Sequence, residues 1–174
     1  MGLKKLIEAK IFELQQLIIF SILMTIPHKL PIARMEDDHT HYLGSAPNGT
    51  LFWGYETFVF FRPYSEISQH ENWQQYRREY VLLHTFDNAG NYLTTQHWSV
   101  GTSADSAHQS NQELERMIEK LGDVKFHDIE VCIFQIQIDN IVFGLVPDED
   151  AGVINLQPGS MISFMEPWDG EYYT

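Results

Sequence analysis

The stretch from Asp128 to Val146 constrains the fold more than any other part of the chain. Ile129, Val131 and Ile133 share one parity, with Glu130 and Cys132 between them. From Phe134 the parity flips: Phe134, Ile136 and Ile138 are apolar, with Gln135 and Gln137 opposite. Successive side chains of a strand point to opposite faces, so alternation of this kind predicts β-structure. The one-residue slip predicts a β-bulge, or a strand covered on both faces near its middle. Asp139-Asn140 predicts a tight turn, because Asn tolerates the positive φ that such turns require. Ile141, Phe143 and Leu145 then return as a second strand, and Val142 and Val146 place apolar groups on its other face. The other segments read as elements laid beside this hairpin.

Before it, Pro27 and Pro31 keep the chain extended. His39 to Gly44 reads as a strand, Ala46-Pro47-Asn48-Gly49 as a turn and Thr50 to Phe61 as a long aromatic strand. Gly54 within that strand marks a bulge or a close approach. Residues 64–78 read as a polar loop with a helical turn around Trp73. Glu79 to Asp87 and Tyr92 to Val100 form a pair around the turn Asp87-Asn88-Ala89-Gly90-Asn91. Ser103 or Asp105 caps a helix over about 103–121, whose Leu114, Met117, Ile118 and Leu121 recur at i, i+3, i+4, i+7. Gly122 supplies its stop. After the hairpin come an acidic loop, Pro147 to Gly152, and short strands at Val153 to Leu156 and Met161 to Met165. The expected fold is therefore α+β: one antiparallel sheet of about six to seven strands, with one main helix packed on a face.

Residues 1–23 differ from the rest. Lys4 and Lys5 precede Ile7, Ile11, Leu14 and Ile18 at helical spacing. Glu8, Glu13, Gln15 and Gln16 speak against a signal peptide, and the apolar run is too short to span a bilayer. The segment reads as an N-terminal helical extension, lying upstream of a start at Met24, and residues 24–174 as a single α+β domain.

Net charge narrows the function classes. The chain carries 24 acidic and 11 basic residues, a formal net charge of −13. Binding to a phosphate backbone needs clustered Lys and Arg, and the one adjacent basic pair beyond the N-terminus is Arg77-Arg78. A nucleic-acid partner is not expected; an acidic surface steers towards a basic protein instead. The single cysteine, Cys132, forms no internal disulfide and fits a reducing cytoplasm.

The best metal-like spacing is Asp37-x-His39-x-His41. In an extended segment those side chains project to one side, and imidazole with carboxylate suits zinc or a similar ion. Two-residue spacing arises readily among eight histidines, and no Glu-x-x-His or Cys pair completes a shell. The competing reading is histidine bonded to backbone or carboxylate. Cys132, between Val131 and Ile133, reads as a packed thiol rather than a nucleophile. Glu166 with Asp169 could do acid–base work, but such pairs are expected on so acidic a surface. Phe52, Trp53, Tyr55, Phe58, Phe60 and Phe61 would suit base stacking if basic residues were interleaved; they are not, so core packing is the better account. Pro167-Trp168-Asp169-Gly170 reads either as a latch tying the tail to the sheet or as a partner-binding hot spot carried by Trp168 and Asp169. No catalytic residue or cofactor is expected.

Several short stretches carry a resemblance. Asp38-His39-Thr40-His41-Tyr42-Leu43-Gly44, Trp73 with Tyr80, Leu83-His84-Thr85-Phe86-Asp87, Gly101-Thr102, Phe143-Gly144-Leu145-Val146 and Glu166-Pro167-Trp168-Asp169-Gly170 resemble a bacterial family of small proteins named formate hydrogenlyase regulatory protein. The resemblance covers about residues 24–174. It implies a regulatory role in hydrogen-producing formate metabolism, and it carries no catalytic residues across. The resulting expectation is a non-enzymatic cytoplasmic protein acting through protein contact. The alternatives are an immunity-type protein neutralising a basic toxin, and a metal-dependent enzyme built on Asp37, His39 and His41.

Overall fold

The computed structural model describes residues 10–12, 26–37, 39–67, 72–99, 101–106, 109–159 and 161–174. The N-terminal extension predicted over 1–23 lies outside them, apart from residues 10–12, which are helical.

Among the described residues eleven strands form three sheets, not one. β1 (Lys29–Ile32) pairs with β7 (Ile129–Cys132) in a two-stranded sheet. β2 (Tyr42–Ser45), β3 (Leu51–Phe60), β4 (Arg77–Phe86), β5 (Tyr92–Trp98) and β6 (Lys125–Phe126) make a five-stranded sheet in the order β5-β4-β3-β2-β6. β8 (Gln135–Ile138), β9 (Ile141–Asp148), β10 (Val153–Gln157) and β11 (Ile162–Phe164) make a four-stranded sheet in the order β11-β10-β9-β8. Every pairing is antiparallel. The α+β class stands; the single sheet does not.

The reason lies in the parity slip. Ile129 and Val131 are buried and face the core from β7, which pairs with β1. The chain then leaves that sheet at Ile133-Phe134 and resumes as β8, which pairs with β9. The slip therefore marks a change of sheet, not a bulge within one strand. Phe134, buried at the crossing, stacks on Tyr92 with ring centroids 5.1 Å apart and meets Phe86 edge-on. The turn after β8 is as expected, with φ of 51° at Asp139 and 64° at Asn140, the two positive values of a type I′ hairpin.

Alternation along β3 and β4 sorts residues between two cores. Trp53, Tyr55, Tyr80, Leu82 and Phe86 face the four-stranded and two-stranded sheets, meeting Phe143, Leu145, Ile154, Leu156 and Phe164. Phe52, Val81 and Leu83 face the other way, onto Leu114, Met117 and Ile118 of a helix. The predicted helix over 103–121 is two: α2 (Ser103–Ser106) and α3 (Ser110–Glu119). From Ser103 to Asn111 alanine is the only apolar residue type, so the stretch offers no large apolar face to pack a continuous helix on the sheet. α3 covers one face of the five-stranded sheet with Leu114, Met117 and Ile118, all buried, while the fourth predicted residue, Leu121, lies just past its end and packs half-buried on the same cluster. A further short helix, α1 (Tyr64–Ile67), and a 3-10 turn at Trp73–Tyr76 join β3 to β4.

The C-terminal segment lies along the sandwich. Trp168 packs on the core, Tyr173 exchanges two backbone hydrogen bonds with Ser163 of β11, and the Ala33 N–H donates to the Gly170 carbonyl at 3.0 Å. Gly170 has φ of 95°, and a Cβ there would sit 2.7 Å from the Ala33 nitrogen. Only glycine fits a left-handed position against another backbone. Gly170→Ala is expected to lower stability by about 1–2 kcal/mol, limited by the docking of the tail. Urea unfolding measures the loss, and faster proteolysis of the C-terminus shows where it falls.

Candidate functional site

The strands that carry the sandwich also wall a cleft of about 510 Å³ on the helix-bearing side of the five-stranded sheet. One wall comes from the β1–β2 connection and the start of β2, with Glu36, Asp37, His39, His41 and Tyr42. β3 supplies Glu56, Thr57 and Phe58, β4 supplies Arg77 and Glu79, and Asn111 and Leu114 of α3 close the far side. Phe58 follows Phe52, Gly54 and Glu56 on one face of β3, so the row that meets α3 runs on past the helix and into the cleft.

Asp37, His39 and His41 all reach this cleft, but they do not converge. The segment is a turn, not an extended strand; β2 begins only at Tyr42. Asp37 Oδ1 accepts from the backbone N–H groups of His39 and Thr40 at 2.7 and 2.6 Å, and its Oδ2 accepts from Thr40 Oγ1 at 3.0 Å. Burial pushes the Asp37 carboxyl up, but these hydrogen bonds, with a further one from Tyr172, outweigh it and hold the group below its ordinary value. A carboxylate so engaged closes a turn. The His39 ring stands edge-on to Tyr172 at 6.0 Å, and the His39 carbonyl accepts from the Trp53 indole at 2.7 Å. His41 turns elsewhere: its Nδ1 lies 3.6 Å from Glu36 and 3.5 Å from Arg34, and its ring packs edge-on to Tyr42. Among the described residues no group of three or more His, Cys, Asp and Glu side chains is arranged to hold a metal ion.

Trp168 and Asp169 lie outside the cleft. Trp168 is half-buried at φ 58°, and Asp169 accepts from the Glu171 N–H within its own turn. The same tail nonetheless touches the cleft wall, since Tyr172 meets both Asp37 and His39. Cys132 is buried, its thiol 3.4 Å from Asn91 Oδ1.

The sequence reading missed the cleft's floor. Arg77 lies over the Phe58 ring at 3.7 Å from its centroid, and Trp73 stands within 5.4 Å of the same guanidinium. Arg77 Nη2 donates to Glu79 Oε2 at 3.2 Å, and Nε lies 2.8 Å from Oε1 without being aimed at it. Ser103 Oγ adds a contact of 2.6 Å to Glu79, tying α2 to β4. Beside it Arg78 covers Phe61 and Arg62 covers Tyr76. Arginine and aromatic residues are interleaved after all, but across strands: Phe60 pairs with Arg77 and Val59 with Arg78. Spacing along one strand holds no trace of this; aligning β3 against β4 would have revealed it.

Four carboxylates and one guanidinium line the cleft, with two imidazoles and the Tyr42 phenol. Burial, followed by the charges of Glu115 and Glu56, raises the Tyr42 pKa, so the phenol stays neutral. Such a lining favours a cation resting against aromatic walls. No helix among the described residues is long and apolar enough to cross a membrane. The chain matches no family model, no curated protein and no solved structure.

Proposed function

We propose that this is a non-enzymatic, cytoplasmic, protein-binding protein that takes a basic side chain of its partner into the acidic cleft. The observation that carries the reading is the cleft's charge: among the described lining residues are Glu36, Asp37, Glu56 and Glu79 with one guanidinium, Arg77, and Arg34 lies 3.8 Å from Glu36 at the rim, on a chain of net charge −13. Aromatic walls from Tyr42 and Phe58 add contact area suited to a Lys or Arg stem. The resemblance to the formate hydrogenlyase regulatory family makes the binding regulatory. A second reading draws on the same charge: an immunity-type protein that neutralises a basic toxin. The two separate on one observation, a toxin-like reading frame directly upstream whose toxicity is relieved by co-expression.

The test is affinity capture from the native host with the wild type and with Glu36→Lys combined with Glu56→Gln. The expected result is a basic protein held by the wild type and held at least tenfold more weakly by the variant, a loss of about 1.4 kcal/mol. Raised salt is expected to release it as well. Capture indifferent to both changes overturns the reading. Stoichiometric metal in the purified protein, lost on His39→Ala, would replace it with the metal-dependent enzyme.

A further inference from the structure

The cleft already holds a cation of its own. Phe58 and Glu79 face each other across β3 and β4, so an aromatic ring and a carboxylate stand side by side on the cleft floor. The Arg77 guanidinium lies on that ring, 3.7 Å from its centroid, and reaches the carboxylate from two residues away on the same face of β4. A guanidinium grips a carboxylate best side-on, through two parallel hydrogen bonds of about 2.8 Å. Arg77 makes neither well. Nη2 donates to Glu79 Oε2 over 3.2 Å, and Nε, 2.8 Å from Oε1, is buried with no aligned acceptor. The tether is the cause: two residues of one strand hold the side chain too close to turn its edge squarely onto Glu79. Glu79 itself is fixed from behind, by Ser103 Oγ at 2.6 Å. Trp73, 38% exposed, presents a second ring 5.4 Å from the same guanidinium.

We propose that Arg77 occupies the seat of the partner's side chain, that this side chain is an arginine, and that it enters by displacing Arg77 from Phe58 towards Trp73. The inference rests on the reading of the cleft as a receptor for a basic side chain and names which one it takes. The seat is a flat ring with a carboxylate at its edge. A guanidinium lies on the ring and meets both carboxylate oxygens in one plane; an ammonium is a compact point charge and cannot do both. A guest carried on another backbone is free of the two-residue tether, so it can align both hydrogen bonds where Arg77 aligns one. Arg77 loses little in leaving, since Trp73 offers its cation another aromatic face. The resident side chain thus lowers the cleft's affinity for every cation and yields to the one that fits the seat better than it does.

Chemical-shift titration of the full chain with N-acetyl-arginine amide and N-acetyl-lysine amide tests this, in 0.5 M salt so that changes of net charge are screened. Two variants empty the seat differently. Arg77→Met keeps an apolar stem and loses the charge, whereas Arg77→Lys keeps the charge and loses the flat group. The arginine probe is expected to bind about tenfold more tightly to Arg77→Met than to the wild type, and about threefold more tightly to Arg77→Lys. The lysine probe is expected to gain less than about twofold in either. An arginine probe held no more tightly by either variant overturns the proposal, and so does an equal gain for the two probes. Capture of a basic protein that depends on Glu36 and Glu56, with no gain in the Arg77 variants, strikes this inference and leaves the reading of the cleft. The arginine gain with no basic protein captured strikes that reading and leaves the seat.

Discussion

Acidification from pH 6.5 to 4.5 is expected to cost the folded state roughly 2–2.5 kcal/mol through His84 alone. His84 sits in the sandwich interior with no exposed surface, between Tyr55 and Thr95. Its Nε2 lies 3.1 Å from the Tyr55 hydroxyl and its Nδ1 2.7 Å from Thr95 Oγ1, which in turn meets the Tyr92 hydroxyl at 3.0 Å. Trp53 and Phe134 close the pocket with their rings. Burial pushes the Tyr55 phenol well above its ordinary range, so it keeps its proton and can donate to Nε2, leaving Nδ1–H for Thr95. Burial also drives the His84 pKa from 6.5 down to about 3. Between those values the unfolded chain binds a proton that the folded chain refuses. Stability is therefore complete above pH 6.5 and falls by about 1.4 kcal/mol per pH unit below it, until His84 itself protonates near pH 3. Asp37, whose pKa is lowered, acts in the same direction, but only below the ordinary carboxylate range. Urea unfolding at pH 7.5, 6.5, 5.5 and 4.5 separates the two windows. In His84→Gln, which keeps a polar group but cannot titrate, the slope between pH 6.5 and 4.5 is expected to flatten. An equal slope in both proteins would mean that His84 is not the group responsible.

Legibility differed from element to element for physical reasons. β3 and β4 were readable because turn residues bound them and their side chains enter a core, whereas β5, with no fully buried side chain, was readable from the turn that precedes it. The stretch from Asp128 to Val146 was half readable. Its parity flip is plain in the residues, but alternation reports only which face a side chain takes, never which neighbour the backbone bonds. A bulge and a transfer from β1's side to β9's leave the same mark. The cleft was less readable still. Asp37, His39 and His41 reach it, as their chemistry made worth asking, whereas Phe58 and Arg77 meet only once β3 is laid against β4. The spacing of the first three misled because it presumed an extended backbone. Asp37 had a second use for its oxygens, and a short carboxylate two and three residues ahead of free N–H groups takes that use when it can.

That second use sets the other large effect. Asp37→Ala is expected to destabilise the protein by about 3 kcal/mol. Thr40 is fully buried, and removing the carboxylate takes the acceptor from its N–H and hydroxyl and from the His39 N–H at once. A buried donor left unpaired costs about 1–3 kcal/mol; partial exposure of Asp37 itself trims the total. The loss spreads further than the turn, because the His39 carbonyl receives the Trp53 indole and Tyr172 anchors the tail on the same residues. Asp37→Asn keeps an oxygen for the two backbone donors and is expected to lose less than half as much. Tyr172→Phe is expected to lose less again, and its effect should shrink in the Asp37→Ala background because the two side chains share a contact. A metal ligand behaves otherwise: Asn would fail nearly as badly as Ala, and added zinc would stabilise the wild type alone. Unfolding curves for the wild type, the three single variants and the double variant, with and without zinc, therefore decide whether Asp37 serves the turn or an ion.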